Sequence, residues 1–258
     1  MDDIYGIFHS NFNILSADSE ELVEQVFRLR YQVYCVENEF ENPLDYKDGR
    51  ETDAYDSRSL HSLIKHQESG LFAGVVRLIL PDGENPESEF PIETACKSLF
   101  DEKILSEQYF PRETMAEISR FAVSKQFKQR ITEECHGCTR TAEEQQGRTC
   151  QSLLLPHIPI GLFAACVRMA ADSGITHWYA VMEPIFIRFL SRFGIQFQPV
   201  GPAVDYHGMR VPCYTDIDEM MSQIYRVRPD IWEVMSDYGR VWPLNPYVAR
   251  ALQSKTGY

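Results

Sequence analysis

Four charged residues lie in stretches of the sequence that are otherwise apolar. Arg77 stands between valines and leucines, Arg30 falls on the apolar stripe of a predicted helix, and Glu117 and Arg120 share the hydrophobic run 116–123. An unpaired ion is costly to bury, so charged groups at such positions are usually paired or bound to a ligand. Carboxylates exchange protons, and arginines bind carboxylates through paired hydrogen bonds. The sequence therefore predicts a polar site inside a mixed α/β domain.

The composition is typical of a folded domain that lies in water. The chain has 258 residues, of which 44% are hydrophobic and 12% aromatic, which is enough for a packed core. No apolar run approaches the roughly 20 residues of a membrane span. The acidic start lacks the basic residues of a secretory signal. We therefore expect a soluble, cytoplasmic protein with no membrane span.

The charge is acidic overall but uneven. A formal net charge of -13 argues against a general nucleic-acid binder. One stretch, residues 120–130, is basic and contains no acid, with Arg120, Lys125, Lys128 and Arg130. Two interpretations stay open for it: a docking surface for an acidic partner, or ordinary solvated surface.

The cysteines indicate a reducing compartment. There are seven, an odd number, and they are scattered along the chain, which favours free thiols over a disulfide framework. Cys135, Cys138 and Cys150, with His157, have side chains that could bind zinc. A second Cys-x-x-Cys is missing, so we expect no metal site.

The N-terminal half contains a helix and a long acidic loop. Asp18 and Glu21 form a predicted capping box for a helix that reaches about residue 37 and directs Arg30 inward. Residues 38–58 form a predicted loop, and loops of this length in compact domains are often functional.

A predicted hairpin of strands 59–67 and 71–80 is followed by a strand at about 115–123. On a regular strand, residues three apart face opposite sides, so Glu117 and Arg120 share a face only if a bulge intervenes.

The C-terminal half predicts a layer of strands and helices. A polar insertion at about 128–150 precedes a helix over 159–172. A strand at 175–183, a helix at 184–193 and a strand at 195–200 then follow the order of an α/β layer. The remaining 218–258 is a predicted helical extension that is broken near Pro229.

Four blocks of residues, in this order, resemble the acyl-homoserine lactone synthase superfamily. They are Leu29-Arg30-Tyr31-Gln32-Val33-Tyr34, Glu51-Thr52-Asp53-Ala54-Tyr55-Asp56, Gly74-Val75-Val76-Arg77-Leu78 and Glu117-Ile118-Ser119-Arg120-Phe121-Ala122-Val123. The superfamily is an N-acyltransferase branch with the GCN5-related (GNAT) fold. Within it the chain is most similar to autoinducer-synthase-like acyltransferases of PEP-CTERM/exosortase systems, which include N-acyl amino acid synthases.

The resemblance implies one GNAT-like domain over 1–258, with a mixed central sheet of splayed strands flanked by helices. The insertion and the C-terminal extension depart from the signalling synthases. A tryptophan usual in those synthases is also missing before the acidic loop, where this chain has Phe40. That difference disfavours S-adenosylmethionine as a substrate.

The resemblance also implies roles for individual residues. The predicted catalytic residues are Glu117, Arg120 and Arg77, with Glu117 accepting a proton from the nucleophilic ammonium. The predicted substrate-binding residues are Arg30, Tyr34, Asp53, Asp56, Phe121 and Val123. Alternatives stay open: a structural ion pair between Glu117 and Arg120 or Arg77, arginines that clamp Asp53 and Asp56 rather than substrate, and Tyr34 as plain core.

The acyl donor is predicted from a missing motif. No glycine-rich diphosphate loop follows Val123, and without glycines backbone N–H groups do not readily cradle a diphosphate. We therefore expect acyl carrier protein rather than coenzyme A, with no cofactor held by the chain. The predicted carrier-docking residues are Lys125, Lys128, Arg130, Arg188 and Arg192.

The predicted function is transfer of a fatty acyl group from acyl carrier protein to the amino group of an amino acid. No Ser/His/Asp or Cys/His spacing indicates a covalent intermediate, so direct transfer in a ternary complex is expected. An acyl-homoserine lactone synthase and a coenzyme A-dependent N-acetyltransferase are the alternative enzymes. A non-catalytic module that binds an acyl chain or a carrier protein is the alternative of another class.

Overall fold

The computed structural model describes residues 3–100, 112–137, 154–206 and 208–248 of the chain. They divide into two compact units. The first is Met1–Arg77 with Arg120–Cys166, and the second is Leu78–Ser119 with Val167–Tyr258. The single-domain organisation of residues 1–258 stays a prediction.

Helices and strands alternate along the described chain, as the sequence predicts for a mixed α/β protein. The helices are α1 (Ile4–Asn11), α2 (Glu20–Tyr31), α3 (Pro91–Cys96), α4 (Lys125–Gly137), α5 (His157–Ser173), α6 (Pro184–Ser191), α7 (Ile217–Val227) and α8 (Pro229–Ser236). The strands are β1 (Phe12–Ser16), β2 (Ser59–His66), β3 (Phe72–Ile79), β4 (Met115–Val123), β5 (His177–Met182), β6 (Gln198–Pro199), β7 (Val204–Asp205) and β8 (Met209–Asp216). The boundary between the units falls within β3, β4 and α5.

The first unit contains the predicted hairpin and one strand that the sequence did not reveal. β1 pairs antiparallel with β2, with Phe12 opposite His66, and β3 is the other neighbour of β2. β3 in turn neighbours β4. A Cβ at Gly74 would come within 2.9 Å of the Ala122 carbonyl oxygen, so only glycine allows this close approach of the two strands.

Helix α2 packs its predicted apolar stripe into the first unit. Val26 and Val33 form a buried cluster with Leu63, Val75 and Ala122. The prediction of Asp18 as the N-terminal cap is wrong by one residue. Ser19 is the N-cap, and its hydroxyl accepts the backbone N–H of Leu22 at 3.3 Å. Serine and aspartate both cap helices well, so composition alone did not separate neighbouring candidates.

The second unit contains the predicted strand–helix–strand layer. β4 runs parallel to β5, with Met115 opposite His177 and Ile118 opposite Ala180, and β5 pairs antiparallel with β8. β6 and β7 also pair with β8. The paired residues of β4 and β5 end at Ile118 and Ala180, although both strands continue beyond them. The combination of parallel and antiparallel pairing confirms the predicted α/β class with a mixed sheet.

Several predicted boundaries change. α4 extends to Gly137, so helix occupies the start of the predicted insertion at 128–150, and residues 138–153 lie outside the described ones. α7 and α8 form the helical part of the predicted extension, with the break before Pro229. Within the described chain, no helix is both long enough and apolar enough to traverse a bilayer.

Candidate active site

Six charged side chains meet inside the first unit, and we call them the arginine–carboxylate ring. Three are arginines from separate elements, and three are carboxylates from the segment between the π-helical turn Gln32–Glu37 and β2. The members are Arg30 of α2, Arg77 of β3, Arg120 of β4, Glu51, Asp53 and Asp56. Of the predicted site residues, five therefore lie in one cluster, and Glu51 joins them.

The ring is closed, because each carboxylate bridges two arginines. Glu51 contacts Arg30 Nε at 2.5 Å and Arg120 Nη2 at 2.8 Å. Asp53 contacts Arg77 Nη1 at 2.6 Å and Arg120 Nη2 at 3.2 Å. Asp56 contacts Arg30 Nη1 at 2.6 Å and Arg77 Nη1 at 2.7 Å. Three positive and three negative charges alternate, so the ring has no net charge.

Burial differs around the ring. The side chains of Arg30 and Glu51 are both 0% exposed, and that of Arg77 is 1% exposed. Those of Arg120 and Asp53 are 17% and 25% exposed. Buried ions are tolerated when partners with good geometry surround them. Arg30 was predicted to bind substrate, but its full burial fits a structural role. The Arg120–Asp53 edge is the most exposed part of the ring, and Asp56 is 10% exposed.

Local turn chemistry places two of the carboxylates. Asp53 caps the 3-10 turn Ala54–Arg58 by accepting the N–H of Tyr55 at 2.9 Å. The backbone N–H of Asp53 donates to Asp56 Oδ2 at 2.8 Å, which completes a capping box. The spacing of Asp53 and Asp56 therefore holds both carboxylates on one side of the turn, where the arginines meet them.

The electrostatics of the ring keep its acids ionised. Burial alone would raise the pKa of Asp56, but the hydrogen bond and charge of Arg30 and the charge of Arg77 lower it to about 2. Burial likewise opposes ionisation of Glu51, and Arg120 and Arg30 outweigh it, so the pKa of Glu51 is also lowered. These acids are therefore poor proton acceptors at neutral pH.

Arg120 combines an unusual backbone with a stacked guanidinium. Its φ of 49° is in the left-handed region, which breaks the regular alternation of β4 as a bulge would. Such a conformation persists only where the surroundings hold it. Here Glu51 and Asp53 hold the guanidinium, which also lies 5.1 Å from the ring centroid of Tyr34. Tyr34 belongs to the π-helical turn, a form that is frequent at functional sites.

Glu117 lies in the second unit, three residues before Arg120 on β4. Its side chain is buried, and Oε2 accepts the backbone N–H of Ile92 at 2.8 Å. Its neighbour across the parallel pairing is Tyr179 of β5. Burial, with the charges of Glu93 and Glu117, raises the pKa of the Tyr179 phenol, so it stays protonated at neutral pH.

A second ion pair, not predicted from the sequence, lies close to these residues. The two terminal guanidinium nitrogens of Arg112 donate to Glu93, Nη1 to Oε1 and Nη2 to Oε2, each at 2.8 Å. Glu93 Oε2 also accepts the N–H of Phe90 at 2.8 Å. Glu93 precedes Arg112 by 19 positions, and no local spacing signals the pairing.

The remaining predicted residues are distributed over both units. In the first unit Phe121 packs on Phe163, with 4.9 Å between ring centroids, and Val123 is half-buried. Most of the predicted docking side chains are exposed, and one is half-buried. Lys125, Arg130, Arg188 and Arg192 are exposed, and Lys128 is half-buried. Lys125, Lys128 and Arg130 belong to α4 and lie in the first unit. Arg188 and Arg192 lie in the second unit.

The absence of a metal site stays a prediction. Among the side chains that the structure describes, no group of three or more His, Cys, Asp or Glu has a metal-binding arrangement. Cys138 and Cys150 lie outside the described residues, as does the side chain of Cys135.

Sequence reasoning missed two further acids in the first unit. Glu51 was given no role in the site, although its place at the start of the acidic block 51–56 was the available signal. Glu37 contacts the start of α4 from 88 positions away, and the sequence carries no signal for it.

Comparisons with known proteins agree with this architecture. Residues 29–136 match the family model described as "Acetyltransferase (GNAT) domain". The matched segment includes the whole ring and Glu117. No curated protein matches the sequence significantly. The fold is GNAT-like.

Three solved structures that resemble this fold are TofI, BjaI and FeeM. TofI, in a ternary complex with an inhibitor and MTA, is 18% identical with a TM-score of 0.57, covering 92% of this chain and 98% of that one. BjaI, a CoA-dependent acyl-homoserine lactone synthase with MTA, is 20% identical with a TM-score of 0.53, covering 94% and 99%.

FeeM, an N-acyl amino acid synthase from uncultured soil microbes, is 12% identical with a TM-score of 0.50, covering 84% of this chain and 97% of that one. At such identities the likeness shows the fold. The match to the acetyltransferase domain is the finding that confirms the prediction of an N-acyltransferase enzyme.

Proposed function

We propose that this N-acyltransferase joins a fatty acyl group, delivered on acyl carrier protein, to the amino group of an amino acid. The observation that carries the proposal is the Arg120–Asp53 edge, which is the most exposed part of the ring. A free amino acid has one carboxylate and one ammonium. A guanidinium beside a carboxylate offers a partner to each, and the buried remainder of the ring fixes both in place.

The proposed chemistry is direct attack. Glu117 accepts a proton from the ammonium, directly or through one water, and the amine attacks the thioester carbonyl carbon. Backbone N–H groups near the point where β4 and β5 stop pairing stabilise the oxyanion. The carbon–sulfur bond breaks, an amide forms, and the thiolate leaves to take up a proton.

The amino acid is favoured over S-adenosylmethionine by the missing tryptophan, where this chain has Phe40. FeeM supports an amino acid as acceptor, because its name describes an N-acyl amino acid synthase. BjaI supports the alternative of a coenzyme A-dependent acyl-homoserine lactone synthase. The association with PEP-CTERM/exosortase systems stays a prediction.

The decisive experiment is mass spectrometry of lipid extracts from cells that express the wild type, Glu117→Gln or Glu21→Gln. Glu21 is an exposed carboxylate of α2 and serves as the matched control. We expect a new N-acyl amino acid with the wild type and the control, and much less with Glu117→Gln. An N-acyl homoserine lactone would establish the alternative enzyme. No product from the wild type would favour a binding module.

A further inference from the structure

The first turn of helix α4 is occupied by a carboxylate of the protein itself. The first backbone N–H groups of a helix have no partner within it, and they form a natural anion site. Here Glu37 Oε2 accepts the N–H of Lys125 at 2.8 Å, and Oε1 accepts the N–H of Gln126 at 3.1 Å. Oε1 also accepts the hydroxyl of Ser124 at 3.3 Å. Ser124 Oγ in turn accepts the N–H of Phe127 at 3.1 Å.

Glu37 is held there by more than its carboxylate. It is the last residue of the π-helical turn Gln32–Glu37, and its backbone carbonyl accepts the ammonium of Lys125 at 2.9 Å. Ser124, beneath it, is 2% exposed. A phosphate that approached these N–H groups would have to displace a fixed carboxylate and would meet its negative charge.

We propose that Glu37 determines the acyl donor by closing this helix end to phosphate groups. The inference rests on the proposed acyl transfer and explains its donor. Coenzyme A carries a diphosphate and a ribose phosphate, which need such donors. The pantetheine arm of a carrier protein has a single phosphodiester, and the carrier's own surface supplies the remaining contacts. The missing glycine-rich loop and the bound carboxylate of Glu37 therefore both disfavour coenzyme A as the donor.

The test uses inorganic pyrophosphate and coenzyme A as probes on the full chain, and reads the amide chemical shifts of Lys125 and Gln126. Four proteins are compared: wild type, Glu37→Ala, Glu37→Gln, and Glu39→Gln as a control at an exposed neighbouring glutamate. We expect saturable shifts at both amides in Glu37→Ala, with at least about tenfold tighter binding than in wild type. A tenfold change in affinity corresponds to about 1.4 kcal/mol. Glu37→Gln should bind at an intermediate level, and the control should behave as wild type.

Two results would overturn the inference: equal shifts in wild type and Glu37→Ala, or no shifts in a folded Glu37→Ala. Thermal melts establish that the variants fold, and Glu37→Gln, which keeps an acceptor oxygen, serves if the alanine variant does not. The ratio of kcat/KM for a coenzyme A thioester to that for the carrier thioester should rise in Glu37→Ala. If neither thioester is a substrate, the proposed function fails while the amide shifts still decide the role of Glu37.

Discussion

Two buried glutamates of this chain are held in different ways. Glu51 lies between two arginines, whereas Glu117 accepts a neutral backbone N–H at the start of α3. Fixed positive charges favour the ionised form of a carboxylate, and the lowered pKa of Glu51 reflects them. In the proposed function, the ring provides position and Glu117 of β4 provides the proton acceptor.

Glu117→Gln tests most directly whether Glu117 is the proton acceptor. We expect kcat to fall by about 10²–10⁴, the usual contribution of a general base. The melting temperature should change little, since the glutamine oxygen can still accept the N–H of Ile92. Steady-state kinetics with thermal melts measure both. Wild-type kcat in this variant would remove Glu117 from the chemistry.

Glu51→Gln, unlike Glu117→Gln, should lower the free energy of unfolding strongly. It leaves Arg30 and Arg120 without a charged partner that both share, and breaking a buried pair costs about 3–5 kcal/mol. Urea unfolding measures the loss. Glu41→Gln is the matched control, because Glu41 lies 3.7 Å from Arg120 and is partly exposed, and it should cost below about 1 kcal/mol. Equal losses in the two variants would show that the ring is not a structural unit.

A histidine beside the ring predicts how stability changes with pH. Burial and the charge of Arg30 lower the pKa of His61 to about 4, from an ordinary value near 6.5. Between these values the unfolded chain binds more protons than the folded one, so stability falls as the pH drops from 6.5 to 4. The free energy of unfolding lost through His61 over this range is about 3 kcal/mol. Asp56, with its pKa of about 2, extends the loss below pH 4.

The measurement is urea unfolding at several pH values for wild type and His61→Gln. The variant should lose most of the slope between pH 6.5 and 4 and keep the decline below pH 4. An unchanged slope would mean that other groups account for it.

The smallest expected effect concerns donor docking. Reversing Arg188 and Arg192 to glutamate should raise KM for the carrier thioester about tenfold at low salt, with less effect at high salt, because exposed charges are screened. Arg226→Glu, at an exposed arginine of α7, is the control. A wild-type KM that does not vary with ionic strength would remove the docking surface from the proposal.

The sequence predicted the elements that have a periodic pattern, and with them the inward direction of Arg30. It also predicted that Arg77 and the acids at 53 and 56 belong near one another. It did not predict α1 and β1, whose short segments at 4–16 carry weak patterns. The pairing within the ring was also out of reach, since it depends on how four separate segments pack.

The left-handed backbone of Arg120 shows the same limit from another side. The spacing of Glu117 and Arg120 predicted that the two side chains share a face only if a bulge intervenes. The residue that would adopt it was not, because arginine has no intrinsic preference for that conformation and tertiary contacts impose it.

The widened turn at Gln32–Glu37 makes one kind of sequence change especially damaging. The π-helical turn follows directly on α2. Its hydrogen bonds span one more residue than those of an α-helix, and each residue of an α-helix adds a rotation of about 100°. Deleting a single residue there would let the helix continue in regular form. Tyr34 and Glu37 could then no longer point, at the same time, to Arg120 and to the first turn of α4. Length is therefore constrained in this segment more strictly than composition.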